Sequence, residues 1–160
     1  MRITDQYFWN VVFSAFFIVL VILMAIILET EAIRDVATLT LTDFALMTLA
    51  TWRVIRLFVY DAITKFFREQ FWDVEKTKTG LMLVKPERGP RRTIADLLSC
   101  PWCFGVWAGA MVVFAYLTFA WAWYVVAFLA IAAAATFLQL LSNLIGHKAE
   151  ALKRENDRGF

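Results

Sequence analysis

Long apolar stretches alternating with polar or charged segments dominate the pattern of this chain. They cover about residues 7–28, 41–60, 104–119 and 121–145. An α-helix rises about 1.5 Å per residue, so about 20 apolar residues cross a hydrocarbon core of about 30 Å. We therefore predict an all-α integral membrane protein with four transmembrane helices, which we call segments one to four.

Segments three and four follow one another with no glycine, proline or charge between them. As a single helix, residues 104–145 would be about 63 Å long, twice the membrane thickness. We therefore predict two spans. The turn between them is expected at Trp121, Trp123 and Tyr124, because such rings favour the membrane interface.

Polar segments complete the predicted single membrane domain. Residues 61–71 are amphipathic, which predicts a helical extension of segment two as far as Phe71. Residues 72–99 form a polar loop rich in turn signals, and residues 146–160 form a charged tail. Within the loop, Leu81–Val84 favours a short strand, and Thr93–Asp96 resembles a capping box that would begin a helix at Ile94.

Composition agrees with a membrane protein. Hydrophobic residues make up 61% of the 160 residues and charged residues 19%, against about 45–50% and about 25% in soluble domains. The apolar run from Val11 to Leu28 exceeds the roughly 7–15 residues of a signal-peptide core, and only Arg2 precedes it as a basic residue. We expect segment one to be a retained anchor.

Basic residues are concentrated in two of the polar segments. Between segments two and three stand eight: Lys65, Arg68, Lys76, Lys78, Lys85, Arg88, Arg91 and Arg92. Four stand in the tail: Lys148, Lys153, Arg154 and Arg158. The positive-inside rule then places both termini and the central loop in the cytoplasm of a bacterial inner membrane. Anionic lipid headgroups, which attract such residues by about 1 kcal/mol each, are the expected partners, and nucleic acid is not.

The motif Cys100-Pro-Trp-Cys103 is the sharpest chemical signal. Proline tolerates the first turn of a helix, so Cys100 is expected at a helix N-terminus, where a thiolate is favoured. Three interpretations stay open. The thiols are structural, they form a redox pair, or they bind zinc with His147 and Asp96 as further ligands. A dimer that pools two cysteine pairs would also bind zinc.

Two arginines, Arg53 and Arg56, lie three residues apart within segment two and share a helix face. A charge inside the membrane is costly and usually faces the bundle interior or water. We predict an intramembrane polar cluster of Arg53, Arg56, Asp61, Arg68 and Asp96. The alternative is snorkelling to lipid phosphates, which Arg56 reaches more easily than Arg53.

Glycines four residues apart, Gly105 and Gly109, flank Trp107 in segment three. Small residues at this spacing let helix backbones approach closely in lipid. We predict that this face packs against the alanine run Ala132–Ala135 of segment four. A homodimer interface is the alternative.

Several of these residues belong to one recognisable pattern. Its parts are Thr51-Trp-Arg53-x-x-Arg56-Leu, Asp61-x-Ile63, Phe67-Arg68-Glu69 and Leu98-x-Cys100-Pro-Trp-Cys103-x-Gly105-x-Trp107. Over about residues 42–141 the chain resembles a family of small membrane proteins from bacilli and phage genomes, domain of unknown function 1360. The resemblance implies a helical membrane domain and no particular activity. It also implies a shared core of eight residues: Arg53, Arg56, Asp61, Arg68, Cys100, Cys103, Gly105 and Trp107.

These observations favour a non-enzymatic inner-membrane protein that acts through helix packing, by assembly with itself or with a membrane partner. The sequence shows no nucleotide-binding loop, Ser/His/Asp set or paired intramembrane carboxylates. A cytoplasm-facing metal or thiol-redox component is the second hypothesis. A phage accessory protein, holin-like or active in superinfection exclusion, is the third.

Overall fold

A computed structural model describes residues 5–77 and 80–158 of the chain. This part of the chain forms a helical bundle with one β-hairpin at its end. In chain order its elements are α1 (Asp5–Glu31), α2 (Leu41–Val59), α3 (Lys65–Glu69), β1 (Asp73–Thr77), β2 (Gly80–Val84), α4 (Pro90–Ser99), α5 (Pro101–Thr118) and α6 (Ala122–Arg158).

Helix α2 lies at the centre of the bundle, packed along both α5 and α6. The core is therefore built from these three helices, and it comprises Met47, Ala50, Val112, Tyr116, Leu117 and Val126. Helix α1 packs at the side, against α4 and α5, and none of its residues from Asp5 to Glu31 is buried.

Arg34 ties the connection between α1 and α2 to the end of α5. Its guanidinium donates to the carbonyls of Tyr116, Phe119 and Ala120, and it lies 4.6 Å from the centroid of the Tyr116 ring. The Tyr116 hydroxyl also donates to Asp43 in the first turn of α2. We call this the Arg34 end of the bundle.

The opposite end carries the cysteines, and we call it the cysteine end. Here the amide of Gln6 near the start of α1 donates to Thr93 Oγ1 at 2.8 Å, and Thr93 donates to Asn10 Oδ1 at 3.1 Å. Helices α1 and α5 therefore begin at the cysteine end, whereas α2 and α6 begin at the Arg34 end.

Helix α2 begins with a capping box, in which Thr40 and Asp43 exchange side-chain and backbone hydrogen bonds. It ends at Val59, so residues 61–71 do not continue α2 as one helix; they form a 3-10 turn over Ala62–Thr64 and then the short helix α3. The chain turns there because the Arg68 guanidinium donates to the carbonyls of Phe58 at 2.9 Å and Asp61 at 3.2 Å. The bond to Phe58 satisfies a carbonyl that the end of α2 leaves without a helical partner, and the bond to Asp61 holds the residues that follow.

The predicted polar loop 72–99 is largely structured. Strand β2 contains the predicted strand and pairs antiparallel with β1, with Asp73 opposite Val84. Helix α4 begins at Pro90, earlier than predicted, because Gly89 precedes it with a φ of 98°, a conformation that favours glycine. Thr93 thus lies inside the helix and bonds to α1 instead of capping α4.

Helix α6 runs without interruption from Ala122 to Arg158. The segment 146–160, predicted as a charged tail, is therefore helical as far as the structure describes it. Helix α5 ends at Thr118, so the chain turns over the three residues between the two helices. Phe119 and Trp121 stack in this turn, with ring centroids 5.6 Å apart.

Within the described residues, α1, α5 and α6 are long and apolar enough to cross a membrane. The protein is therefore mostly helical, with three candidate membrane-spanning helices. Helix α2 is not among them, because Asp43, Arg53 and Arg56 lower its hydropathy.

Candidate functional site at the cysteine pair

Two helices meet at Cys100. Helix α4 ends at Ser99, and Cys100 is the N-cap of α5, where its Sγ accepts a hydrogen bond of 3.2 Å from the backbone N–H of Cys103. Pro101 occupies the first turn, where its missing N–H costs no helical hydrogen bond. The local sequence thus holds both free thiols at the start of α5, as the motif predicts for Cys100.

Both cysteines line a cavity of about 680 Å³ between α1, α4 and α5. One part of its wall is apolar and consists of Phe13, Phe17, Ile18, Leu97, Val106 and Trp107. The other part is polar and consists of Asn10, Ser14, Lys85, Thr93, Asp96, Ser99 and the two cysteines. The thiols therefore stand where a polar and an apolar surface meet.

Asp96 is the charged centre of the polar wall. Its carboxylate accepts a hydrogen bond of 2.8 Å from Lys85 Nζ and another of 2.8 Å from Arg92 Nε. Partial burial raises the pKa of Asp96, but the hydrogen bonds from Lys85 and Arg92 together hold that pKa below its usual range. Asp96 is therefore an anion that joins the end of β2 to α4.

Hydrogen bonds make the Cys100 thiol more acidic than an ordinary cysteine. A hydrogen bond from the Cys103 side chain lowers the pKa of Cys100, and the backbone N–H of Cys103 lowers it further. The positive charge of Lys85 acts in the same direction. Since the thiolate is the nucleophilic form of cysteine, Cys100 is the expected nucleophile of the pair.

Within the described residues, the predicted zinc ligands Cys100, Cys103 and His147 are not brought together as one group. Among residues 5–77 and 80–158, no three His, Cys, Asp or Glu side chains come together as metal ligands would. The prediction required segments three and four to pack side by side. Instead α6, which carries the exposed His147, packs mainly on α2.

The predicted polar cluster divides into two groups. Arg53 forms an ion pair of 2.7 Å with Asp61, and Arg56 lies 5.9 Å and 5.6 Å from the ring centroids of Trp52 and Tyr60. Arg68 binds carbonyls at the end of α2, as described above. Asp96 belongs to the cysteine cavity instead, because α4 presents it to Lys85 and Arg92.

The two glycines of α5 face a different helix from the one predicted. A Cβ on Gly105 would meet Ile55, and one on Gly109 would meet Thr51, both on α2. Small residues thus let α5 approach α2, not α6. Phe58 and Phe104, with ring centroids 5.6 Å apart, extend the same contact, so the start of α5 is held to α2 by packing.

Trp107 faces α1, where Phe16 and Phe17 lie 6.0 Å and 4.7 Å from it by ring centroids. The predicted role in helix packing therefore involves segment one. Through this contact Trp107 also becomes part of the cavity wall.

Sequence reasoning did not include Lys85, Arg92 and Thr93 in the site. Arg92 stands four residues before Asp96, which is a helical spacing, but the predicted helix began only at Ile94 and so left Arg92 outside it. Lys85 lies eleven residues from Asp96, across the break between β2 and α4, and no helical spacing connects them. Thr93 contacts Asn10, which is 83 residues away in sequence.

Comparison with known proteins places these elements in one family. The family described as "Protein of unknown function (DUF1360)" matches residues 46–142, more than half of the chain. The chain belongs to this family. The DUF1360 match runs from α2 into α6, and it includes both cysteines and the Arg53–Asp61 pair.

Two relatives come from Bacillus subtilis (strain 168). The chain is 30% identical over 79 residues to UPF0713 protein YngL, a match that covers 49% of this chain and 61% of that protein. It is 34% identical over 73 residues to Sporulation protein YjcA, covering 42% and 62%. The chain thus spans about three fifths of each relative's length. No solved structure matches.

Proposed function

We propose that this DUF1360 protein crosses the bacterial inner membrane four times, with its termini and central segment in the cytoplasm. The observation that carries the proposal is the central place of α2 between α5 and α6. Because α2 packs along two candidate membrane-spanning helices, it would lie at the same depth in the bilayer as they do. Its charges are compatible with that position, since Arg53 is paired with Asp61 and Arg56 stacks on aromatic rings.

The alternating directions of the helices support the same topology. The start of α1, the hairpin and α4 lie together at the cysteine end, where Arg88 also pairs with Asp5 at 3.6 Å. The basic residues of the central segment thus share a side with the N-terminal end of α1, as the positive-inside rule requires.

Single reporter cysteines test this topology in a chain that lacks Cys100 and Cys103. We expect Glu87→Cys and Asn156→Cys to react with a membrane-impermeant maleimide only after the cells are permeabilised, and Val36→Cys to react in intact cells. Equal labelling of Val36→Cys and Glu87→Cys would show that α2 does not cross the membrane and would overturn the proposal.

Within that topology we propose that the protein acts without catalysis, by assembly with itself or with another membrane protein. Support comes from α1, which packs on one side of the bundle, and from α6, whose exposed face includes Phe128 and Ile131 at 69% and 70% exposure. In a bilayer such faces meet lipid or another helix. The name of the second relative makes sporulation one setting for this role.

Counting subunits in lipid vesicles tests self-assembly. We expect fluorescently labelled chains to photobleach in several steps per assembly, with a step number that persists when the lipid-to-protein ratio is raised tenfold. A single step at every ratio would contradict assembly with itself.

The cysteine site favours a second candidate, a cytoplasm-facing thiol redox component. The observation behind it is the N-cap position of Cys100, next to Cys103 and open to a cavity. We expect a water-soluble thiol oxidant such as diamide to convert the reduced pair into an intramolecular disulfide. Failure of diamide to oxidise the folded protein would exclude this candidate.

A further inference from the structure

The cavity joins two thiols to a wall of aromatic side chains. We propose that it binds a lipid-soluble quinone, which exchanges two electrons with Cys100 and Cys103. This inference rests on the second candidate function and adds the chemical class of the thiols' reaction partner.

The size and wall of the cavity suit a flat, apolar ring. Its volume of about 680 Å³ lies within the roughly 300–1,000 Å³ of small-molecule sites. Phe17 and Trp107 pack on each other with ring centroids 4.7 Å apart, and together they line one side of the cavity, so a quinone ring can lie against their outer surface. The two cysteines line the same space.

The cavity also has a route to the membrane. Ile18 of α1 and Val106 of α5 line it, yet each keeps 57% of its surface exposed. Both residues belong to candidate membrane-spanning helices, so the cavity opens toward lipid there. A ligand whose ring enters from the bilayer can leave an isoprenoid tail in the hydrocarbon.

The polar wall places a positive charge, that of Lys85, in the cavity where the quinone would be reduced. Lys85 lines the cavity beside Asp96, which keeps the ammonium group in place through a hydrogen bond of 2.8 Å. As electrons move onto a quinone, negative charge develops on its oxygens, and a fixed cation stabilises that charge. Lys85 therefore acts here as a stabilising group for the developing oxyanion.

The reaction balances without a further oxidant. The Cys100 thiolate adds to a ring carbon of the quinone and forms a C–S bond. The Cys103 thiolate then attacks Cys100 Sγ, so that an S–S bond forms while the C–S bond breaks and its electron pair passes to the ring. The two thiol protons end on the two quinone oxygens. Two thiols and a quinone become a disulfide and a hydroquinone, and a cytoplasmic dithiol regenerates the pair by exchange.

The test uses the full reduced chain in lipid nanodiscs, without oxygen, with duroquinone as the probe. Duroquinone is fully substituted, which prevents stable thiol adducts on the ring. We expect the protein to lose two hydrogens by intact mass and to release an equal amount of hydroquinone, measured by absorbance. Cys100→Ser, which keeps an oxygen as the helix N-cap, should produce neither.

Two tryptophan variants show whether the cavity is used. Trp107→Ala removes a cavity ring, and we expect duroquinone to oxidise it about tenfold more slowly, equivalent to about 1.4 kcal/mol. Trp121→Ala removes an exposed ring at the Arg34 end and should react like the unmodified protein. Diamide should oxidise all three equally, which establishes that the thiols of Trp107→Ala are intact.

The possible outcomes distinguish failure of the quinone proposal from failure of the thiol redox function on which it rests. Oxidation by diamide but not by duroquinone would overturn the quinone proposal and leave the thiol candidate standing. Oxidation by neither reagent would overturn both. Equal duroquinone rates for Trp107→Ala and Trp121→Ala would show that the reaction bypasses the cavity, and would also overturn the proposal.

Discussion

Gly105 of α5 lies directly against Ile55 of α2, where a Cβ at position 105 would come within 3.1 Å of Ile55 Cδ1. One turn later the fit is looser, because a Cβ on Gly109 would lie 3.8 Å from Thr51 Cγ2, an ordinary van der Waals contact. Substitutions at the two glycines can therefore be compared directly, because α5 lies closer to α2 at position 105 than at position 109.

We expect Gly105→Ala to lower the melting temperature and Gly109→Ala to leave it unchanged or raise it. Alanine favours a helix over glycine by about 1 kcal/mol, and only at position 105 does the added methyl group oppose that gain. Thermal unfolding in detergent, followed by tryptophan fluorescence, checks the order. Gly105→Leu should disrupt the bundle altogether. A melting temperature for Gly105→Ala above that of Gly109→Ala would contradict the packing described.

The ion pair between Arg53 and Asp61 gives a second prediction. Asp61→Asn should destabilise the protein by about 1–3 kcal/mol, because it leaves a guanidinium without its counter-charge. The range lies below that of fully buried pairs, since the two side chains are 21% and 26% exposed. The measurement is unfolding in detergent titrated with a denaturant.

A double variant and a surface control complete this experiment. Arg53→Gln combined with Asp61→Asn should recover part of the loss, because neither charge is then left alone. Glu69→Gln breaks a pair with the exposed Lys65, in which Glu69 itself is partly exposed, and should change stability by less than about 1 kcal/mol. Losses that simply add in the double variant would show that the two residues are not coupled.

Asp96 predicts a pH dependence at the cysteine end. Its pKa in the folded protein is lowered from 3.8 by the hydrogen bonds from Lys85 and Arg92, which outweigh the effect of burial. A carboxylate with a lowered pKa stabilises the fold above its unfolded pKa and loses that effect as the pH falls through the folded value. The unmodified protein should therefore melt at a higher temperature than Asp96→Asn by a constant amount near neutral pH. Below pH 3.8 this difference in melting temperature should shrink toward zero.

A control on the hairpin tests whether the stabilisation at neutral pH is specific to Asp96. Asp73→Asn removes a half-exposed pair with Arg91 and should differ little from the unmodified protein at neutral pH. If the difference for Asp96→Asn instead grew as the pH fell below 3.8, the sign of the argument would be wrong.

We expect two replacements of Cys103 to change the pKa of Cys100 by different amounts. The Cys103 side chain is the main group that lowers the pKa of Cys100, with the backbone N–H of Cys103 next. Cys103→Ala removes the side-chain donor, so the pKa of Cys100 should rise and alkylation at neutral pH should slow. Cys103→Ser keeps a hydroxyl donor and should lie between this variant and the unmodified protein.

The pH dependence of iodoacetamide alkylation measures this order directly, because Cys100 is the single cysteine in both variants. The rate rises with the thiolate fraction, so its midpoint reports the pKa of Cys100. Identical midpoints for Cys103→Ala and Cys103→Ser would show that the side chain of residue 103 does not act on Cys100.

The sequence contains enough information for several parts of this protein. Runs of apolar residues long enough to cross lipid identify α1, α5 and α6, because hydropathy is a property of composition alone. The motif Cys100-Pro-Trp-Cys103 places a thiol at a helix start, because proline at this position and a capping side chain act locally. The family pattern likewise depends on residues read in order along the chain.

Other features depend on which helices become neighbours, and only the tertiary structure decided them. Gly105 favours close approach to another helix, but its contact with Ile55 follows from the position of α2 between α5 and α6. Because α6 packs on α2, His147 lies away from the cysteines. Asp96 joins Lys85 and the cysteine cavity for the same reason. Composition and local spacing act within a few residues, whereas contacts between residues far apart in sequence depend on how whole helices pack.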